Sequence, residues 1–227
     1  MNYYLPKVNI SITTESLSYT ESSISLHYYI NTFPTHTNED TLFKISKYTP
    51  TSAYFFVLLE IMTRQNIPTN VDLITIGSTG GIEALEWRKK NIDLISTPYQ
   101  LIINDSNEID PTMLTKQVKG GSCIIKLNDT TTIKTIQLLY LFCACYTKVC
   151  VCKPTADCSK SLVKYVICTG FIQNINIDYT KITIPYYFFV KINELNSIFG
   201  QLQLDNLRSI ESKEKFINWC SEFLIPI

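Results

Sequence analysis

One stretch, Lys119 to Phe171, narrows the possible folds more than any other part of the chain. It reads as an apolar strand ending in Lys126, an apolar helix, a second strand from Lys148 to Cys152, a Lys153-Pro154 turn and a third strand from Tyr165 to Thr169. Glycines at 120, 121 and 170 bracket it. Short Val-, Ile- and Cys-rich runs separated by a helix are the pattern of strands buried on both faces, so an α/β sheet is expected.

The flanking sequence extends that pattern. Ser52 to Arg64 carries apolar residues at helical spacing behind Pro50, with Thr51 or Ser52 as the expected N-cap. Val71 to Ile76 (VDLITI) reads as a buried strand, followed by the turn Gly77-Ser78-Thr79-Gly80-Gly81 and the helix IEALEWRKK. Arg88, Lys89 and Lys90 close that helix, where cations suit the macrodipole. Ile92 to Ser96 is a candidate strand, Gln100 to Asn104 (QLIIN) a firmer one ending at Asp105, and a short helix is expected from Pro111 to Lys119. Further on come an apolar piece from Ile182 to Val190, a helix near Ile192 to Phe199 and a terminal helix from Lys213 to Phe223. Residues 1–47, rich in Ser, Thr, Asn and Tyr, read as a loosely structured N-terminal extension in which Ser22 to Ile30 alternates like a short edge strand. Residues 48–227 then form one domain, since neither a linker nor a repeat interrupts them.

Composition limits the chemistry. With 45% hydrophobic and 18% charged side chains in 227 residues, the chain can bury a real core, and a net charge of zero supplies no bulk attraction to nucleic acid. The eight cysteines fall mostly within apolar strand or helix patterns, which suits buried free thiols in a reducing, cytoplasmic setting. No secretory leader is expected, and no apolar run approaches the roughly 18 residues of a membrane span. Metal binding is not expected. Cys143 and Cys145 diverge on a helix, Cys150 and Cys152 share a buried strand face, and the two histidines, His27 and His36, lie far away in sequence.

Several segments, in one consistent order from Ser52 to the C-terminus, resemble the FtsJ-like ribose 2′-O-methyltransferases, and most closely the eukaryotic and viral mRNA cap enzymes. GGSCIIKLND at Gly120 to Asp129 is similar to the family's strand with a catalytic lysine after a Gly-Gly pair. TGGIEALEWRKK is similar to its Gly loop and basic helix, Lys153-Pro154 and KYVICTGF to its closing turn and strand, and WCSEFLIPI to its tail. The resemblance implies a Rossmann-like S-adenosylmethionine-dependent methyltransferase fold, α/β with a mostly parallel doubly wound sheet. It also implies transfer of a methyl group to an RNA ribose by a Lys-Asp-Lys-Glu tetrad. Lys126 and Asp105 match the central lysine and the aspartate; the other two positions fall on Val57 and Val163, with Glu60 and Lys164 as the nearest candidates to replace them. Gly77, Thr79, Gly80 and Gly81 match the cofactor loop, Arg88, Lys89 and Lys90 an RNA-facing basic segment, and Cys158 replaces the arginine of the loop after Lys-Pro.

Between the basic helix and Asp105 the family places two further strands that carry acidic cofactor ligands. Here only Asn91 to Leu101 is available, with Asp93 as its one carboxylate, too short for two strands and a crossover. The cofactor half is therefore expected to be shortened. The combination resembles the degenerate methyltransferase-fold subunits of poxvirus-type capping enzymes, which stimulate a catalytic subunit. It implies a regulatory partner in mRNA capping, with capped RNA as a possible ligand. The alternative is an active enzyme using S-adenosylmethionine, Lys126 and Asp105. Read from the residues alone, Lys126 is equally a surface lysine, Asp105 a turn cap, Gly77 to Gly81 a tight turn, and Arg88 to Lys90 a solvated helix face.

Overall fold

A computed structural model describes residues 1–8, 38–91, 99–106, 109, 111–157, 161–173, 175, 178–208 and 213–227. Six strands form one mixed sheet in an α/β fold: β1 (Asn2–Leu5), β2 (Val71–Ile76), β3 (Tyr99–Asn104), β4 (Ser122–Leu127), β5 (Tyr146–Cys152) and β6 (Lys164–Phe171). Their order across the sheet is β1-β5-β6-β4-β3-β2. The described helices are α1 (Asn38–Ile45), α2 (Tyr54–Arg64), α3 (Gly80–Asn91), α4 (Ile133–Cys145), α5 (Tyr186–Arg208) and α6 (Lys213–Glu222), with short 3-10 turns at Pro111–Lys116 and Tyr179–Lys181.

The sheet is mixed, with β2, β3, β4 and β5 pointing one way and β1 and β6 the other. β2, β3 and β4 run parallel, but β6 runs antiparallel to both β4 and β5, and β1 runs antiparallel to β5. The reason lies in the connections. β3 and β4 follow long excursions, and β5 follows α4, whereas among the described residues no helix separates Cys152 from Lys164, and β6 turns back beside its neighbour.

Side chains alternate across the sheet. Leu101, Ile103, Ile124, Tyr165 and Ile167 pack beneath α2, α3 and α6, while Ile102, Cys123, Ile125, Leu127, Val166 and Cys168 pack beneath α4 and α5. Strand β4, central in this arrangement, is buried at every residue. Helix α2 is buried from Phe55 to Met62, because the sheet, α3 and α6 enclose it. The Ser52 hydroxyl accepts the N–H of Tyr54 at its start at 3.3 Å, and Glu83 of α3 accepts the Thr51 and Ser52 N–H groups at 2.9 and 3.2 Å. α5 is one long helix where the sequence suggested an apolar piece and a shorter helix. Gly200 lies inside it, a position that lowers helix propensity without ending the helix once Phe199 is buried.

Residues assigned to the N-terminal extension contribute directly to this fold. β1 forms a sheet edge with Tyr3 opposite Val151, and Leu42 of α1 is buried in the core under α2. The candidate strands at Ser22 to Ile30 and Ile92 to Ser96, together with Asp93, Cys158, His27 and His36, lie outside the described residues. The seven described cysteines are free and buried. No described helix is long and apolar enough to cross a membrane.

Candidate functional site

Because β2, β3 and β4 are parallel and β5 points the same way as β4, their carboxyl ends share one edge of the sheet with the start of β6. Ligands of open α/β sheets bind along such an edge. It collects Gly77 and Ser78 after β2, Asp105 after β3, Lys126 near the end of β4, Lys153 after β5 and Lys164 opening β6.

The Gly turn and Asp105 form one closed unit. Asp105 is 5% exposed, and its backbone N–H donates to the Ile76 carbonyl at 3.1 Å. The Ser78 N–H donates to Asp105 Oδ1 at 2.7 Å, and the Ser78 hydroxyl donates to Oδ2. Gly77 has φ of 114°, and any Cβ there would overlap Asp105 Oδ1. A Cβ on Gly80 would lie 2.9 Å from the Phe55 nitrogen, so this glycine lets α3 start against the first turn of α2. Gly81 serves packing too, since its Cβ would approach Ile103 to 2.6 Å. Thr79 contributes its carbonyl, which accepts the Ile82 N–H at 3.0 Å and opens α3. The turn's Ser78 donors are therefore spent on Asp105, and the residues present fit poorly with a cofactor that would present its own carboxylate to them.

Lys126 reaches the same neighbourhood from the sheet. Its ammonium donates to the Tyr54 hydroxyl at 2.5 Å and lies 4.8 Å from the centre of that ring. Tyr54 begins α2, beside Gly80, so Lys126, Tyr54 and the Gly turn are continuous. Tyr54 was not singled out in the sequence; an aromatic at the start of an apolar helix looks like core.

Val57 and Val163, and the two residues considered in their stead, Glu60 and Lys164, serve the fold. Val57 is fully buried in α2, and the Val163 carbonyl accepts the Lys153 ammonium at 2.6 Å. Glu60, 3% exposed, accepts the N–H groups of Thr155 and Ala156 at 3.0 and 2.9 Å and the Trp219 indole N–H at 2.9 Å. It thereby ties the Lys-Pro loop to α2 and α6. Lys164 lies on the other sheet face, since its neighbour Tyr165 is the one registered opposite Lys126. Burial pushes its ammonium down to about 8, the nearby charge of Lys153 adds to this, and Asp129 opposes it. Its Nζ donates to the Leu162 carbonyl at 3.1 Å.

The basic end of α3 does not form a joint patch. Arg88 is buried, with Nε and Nη1 lacking hydrogen-bond partners, and burial lowers its pKa. The cause is helical phase: Gly81, Ala84, Leu85 and Arg88 share the inward stripe, while Lys89 pairs with Glu86 at 3.1 Å and Lys90 is exposed.

A cavity of about 450 Å³ opens at the end of β4. It is lined by Lys126, Leu127, Asn128 and Asp129, by Thr132, Lys134, Thr135 and Leu138 of the α4 entrance, and by Ile109 and Tyr179. No cysteine lines the cavity, and burial pushes the Cys145 and Cys150 thiols up to about 11. Among the described residues no group of His, Cys, Asp or Glu is placed to hold a metal ion. No protein-family profile matches the chain, and no curated protein is significantly similar to it.

Proposed function

We propose that the chain is a degenerate member of the FtsJ-like ribose methyltransferases, with a shortened Rossmann-like fold, and that it acts as a noncatalytic partner subunit in mRNA capping. The reading is supported by the placement of the quoted motifs. The Gly turn, Asp105, Lys126 and Lys153-Pro154 follow successive parallel strands and meet at one edge, the edge where such folds bind ligands.

The observation that carries the noncatalytic half of the reading is the commitment of Asp105. Both of its carboxylate oxygens accept from Ser78, and the Lys126 ammonium that such an aspartate would hold donates to the Tyr54 hydroxyl instead. Val57 and Val163 supply no ionisable group, Glu60 is consumed by the Lys-Pro loop, and Lys164 faces away. Removing one member of a catalytic unit commonly costs orders of magnitude in rate, and here two are missing. This chain's residues at the edge hold the turn and the loop in place.

Calorimetric titration with S-adenosylmethionine is the test, followed by methyl transfer to capped RNA. The expected result is no binding heat and no transfer. Transfer that disappears in Lys126→Ala would overturn the proposal in favour of an active enzyme. The partner claim is checked by co-purification with a guanylyltransferase or guanine-N7 methyltransferase subunit from the native source.

A further inference from the structure

Strand β2 is the outermost strand on its side of the sheet, yet its residues are those of an interior one. Among the described residues it has a strand neighbour on one side only, β3. Its sequence, VDLITI, is apolar on both faces: Val71 and Leu73 pack toward α2 and α3, Ile74 and Ile76 toward the opposite core. All six residues nevertheless stay at least partly exposed, whereas Gln100 to Asn104 of β3 and all of β4 are buried. The devices that blunt a sheet edge, a lysine, a proline or a very short strand, are missing from β2, while β1 at the far side has only four residues. Alternate residues of β2 thus present N–H and C=O groups, flanked by half-exposed apolar side chains, to whatever lies beside them.

A second exposed apolar feature lies above this strand. Ile82 of α3 is 46% exposed. On the same helix Glu83 holds the N–H groups before α2, Trp87 donates to the Phe223 carbonyl beyond α6, and Gly81, Ala84, Leu85 and Arg88 form the buried stripe. Helical phase therefore turns Ile82 outward, away from α2. A Cβ on Gly81 would touch both Ile103 of β3 and Thr75 of β2, so α3 rides between these two strands.

We infer that β2 and α3 form a twofold interface through which two copies of this chain join their six-stranded sheets into one. The dimensions select a second copy. Antiparallel pairing sets β2 roughly 4.8 Å from its mate, and the two α3 helices, each set back by about half that spacing, then run antiparallel with axes roughly 10 Å apart, the distance of packed helices. A twofold axis through Ile74 places Ile74 opposite itself and Leu73 opposite Thr75 of the other copy. It also keeps the two Asp72 carboxylates roughly 13 Å apart along the strands, so like charges do not meet. Because Gly81 lies at Thr75, Ile82 stands within roughly 2 Å of the level of that axis and meets Ile82 of the second copy. One operation covers both apolar features, and a chain of zero net charge does not repel its copy. A lone strand from another protein would pair with β2 and leave Ile82 in water.

Sedimentation equilibrium of the full chain over a range of concentrations measures the association, and a reversible dimer is expected. Ile82→Glu removes the apolar contact and sets two carboxylates against each other at the axis, so it should weaken the dimer about tenfold or more. Glutamate suits an exposed helix position, and the variant should keep the wild-type circular dichroism. Mixing Ile82→Glu with Ile82→Lys should restore association, which misfolded variants would not do. Ile74→Cys should link two copies by a disulfide on mild oxidation, because residues directly opposite on paired strands lie within disulfide reach, whereas Ile76→Cys, opposite Asp72, should not. A chain that stays monomeric at every concentration, a dimer indifferent to Ile82→Glu, or a dimer that Ile74→Cys does not link overturns the inference. So does protection of the β2 amides from hydrogen exchange only when a different protein is bound. Dimerisation is independent of the capping reading, whose own test is the S-adenosylmethionine titration.

Discussion

Replacing Lys164 with methionine should make the protein more stable, although it removes a buried hydrogen bond. Lys164 is 5% exposed, and burial together with Lys153 brings its pKa from 10.5 to about 8 in the folded state. A difference of roughly 2.5 units corresponds to about 3 kcal/mol favouring the unfolded chain while the lysine is charged in both states. Loss of its bond to the Leu162 carbonyl returns about 1 kcal/mol, leaving a net gain near 2 kcal/mol for Lys164→Met. The sign of the pH dependence follows from the lowered folded pKa. Below about pH 8 both states hold the proton and the full penalty is present; from 8 to 10.5 the unfolded chain binds more protons, so wild-type stability rises with pH. The stability difference between variant and wild type should therefore shrink across that window. Urea unfolding at pH 7, 8, 9 and 10, read as midpoints at constant slope, measures it. A less stable variant at pH 7, or a difference that stays constant to pH 10, would refute the reasoning.

Two further outcomes follow from the committed carboxylates. Asp105→Ala leaves the Ser78 N–H and hydroxyl without their acceptor and should cost about 2 kcal/mol in urea unfolding, with Ser78→Ala costing about half as much. Glu60→Gln keeps the shape but loses the charge that two backbone N–H groups, the Trp219 indole and Arg64 share, so about 2 kcal/mol of stability should go. Limited proteolysis should then cut the loop between Lys153 and Lys164 faster than in the wild type.

Much of the fold was legible because its strands are short, apolar and punctuated. VDLITI, QLIIN and SCIIKL all form strands within a residue of expectation, but the antiparallel direction of β6 was not legible, since a strand's own apolar pattern does not carry its direction. The pairing of Asn2–Leu5 with β5 was not legible: four residues carry too little periodicity, and their partner lies nearly 150 positions away. At the edge site, the positions of Lys126 and Asp105 at strand ends were readable, but not their partners. Ser78 looked like filler in a Gly turn, and Tyr54 like core.

The sequence by itself determined the α/β class, the order of most elements and the gathering of Gly77, Asp105 and Lys126 at strand ends, because periodicity and turn chemistry are local properties of the chain. Only the tertiary structure decided what those residues touch. A small change in helix phase turns Arg88 inward, and strand register sets Lys126 and Lys164 on opposite faces. Asp105 meets Ser78 because β2 and β3 end in register, with Ile76 beside Asn104. Such contacts depend on distances between segments that no local pattern encodes, and here they close one half of the edge and leave the cavity beside β4 open.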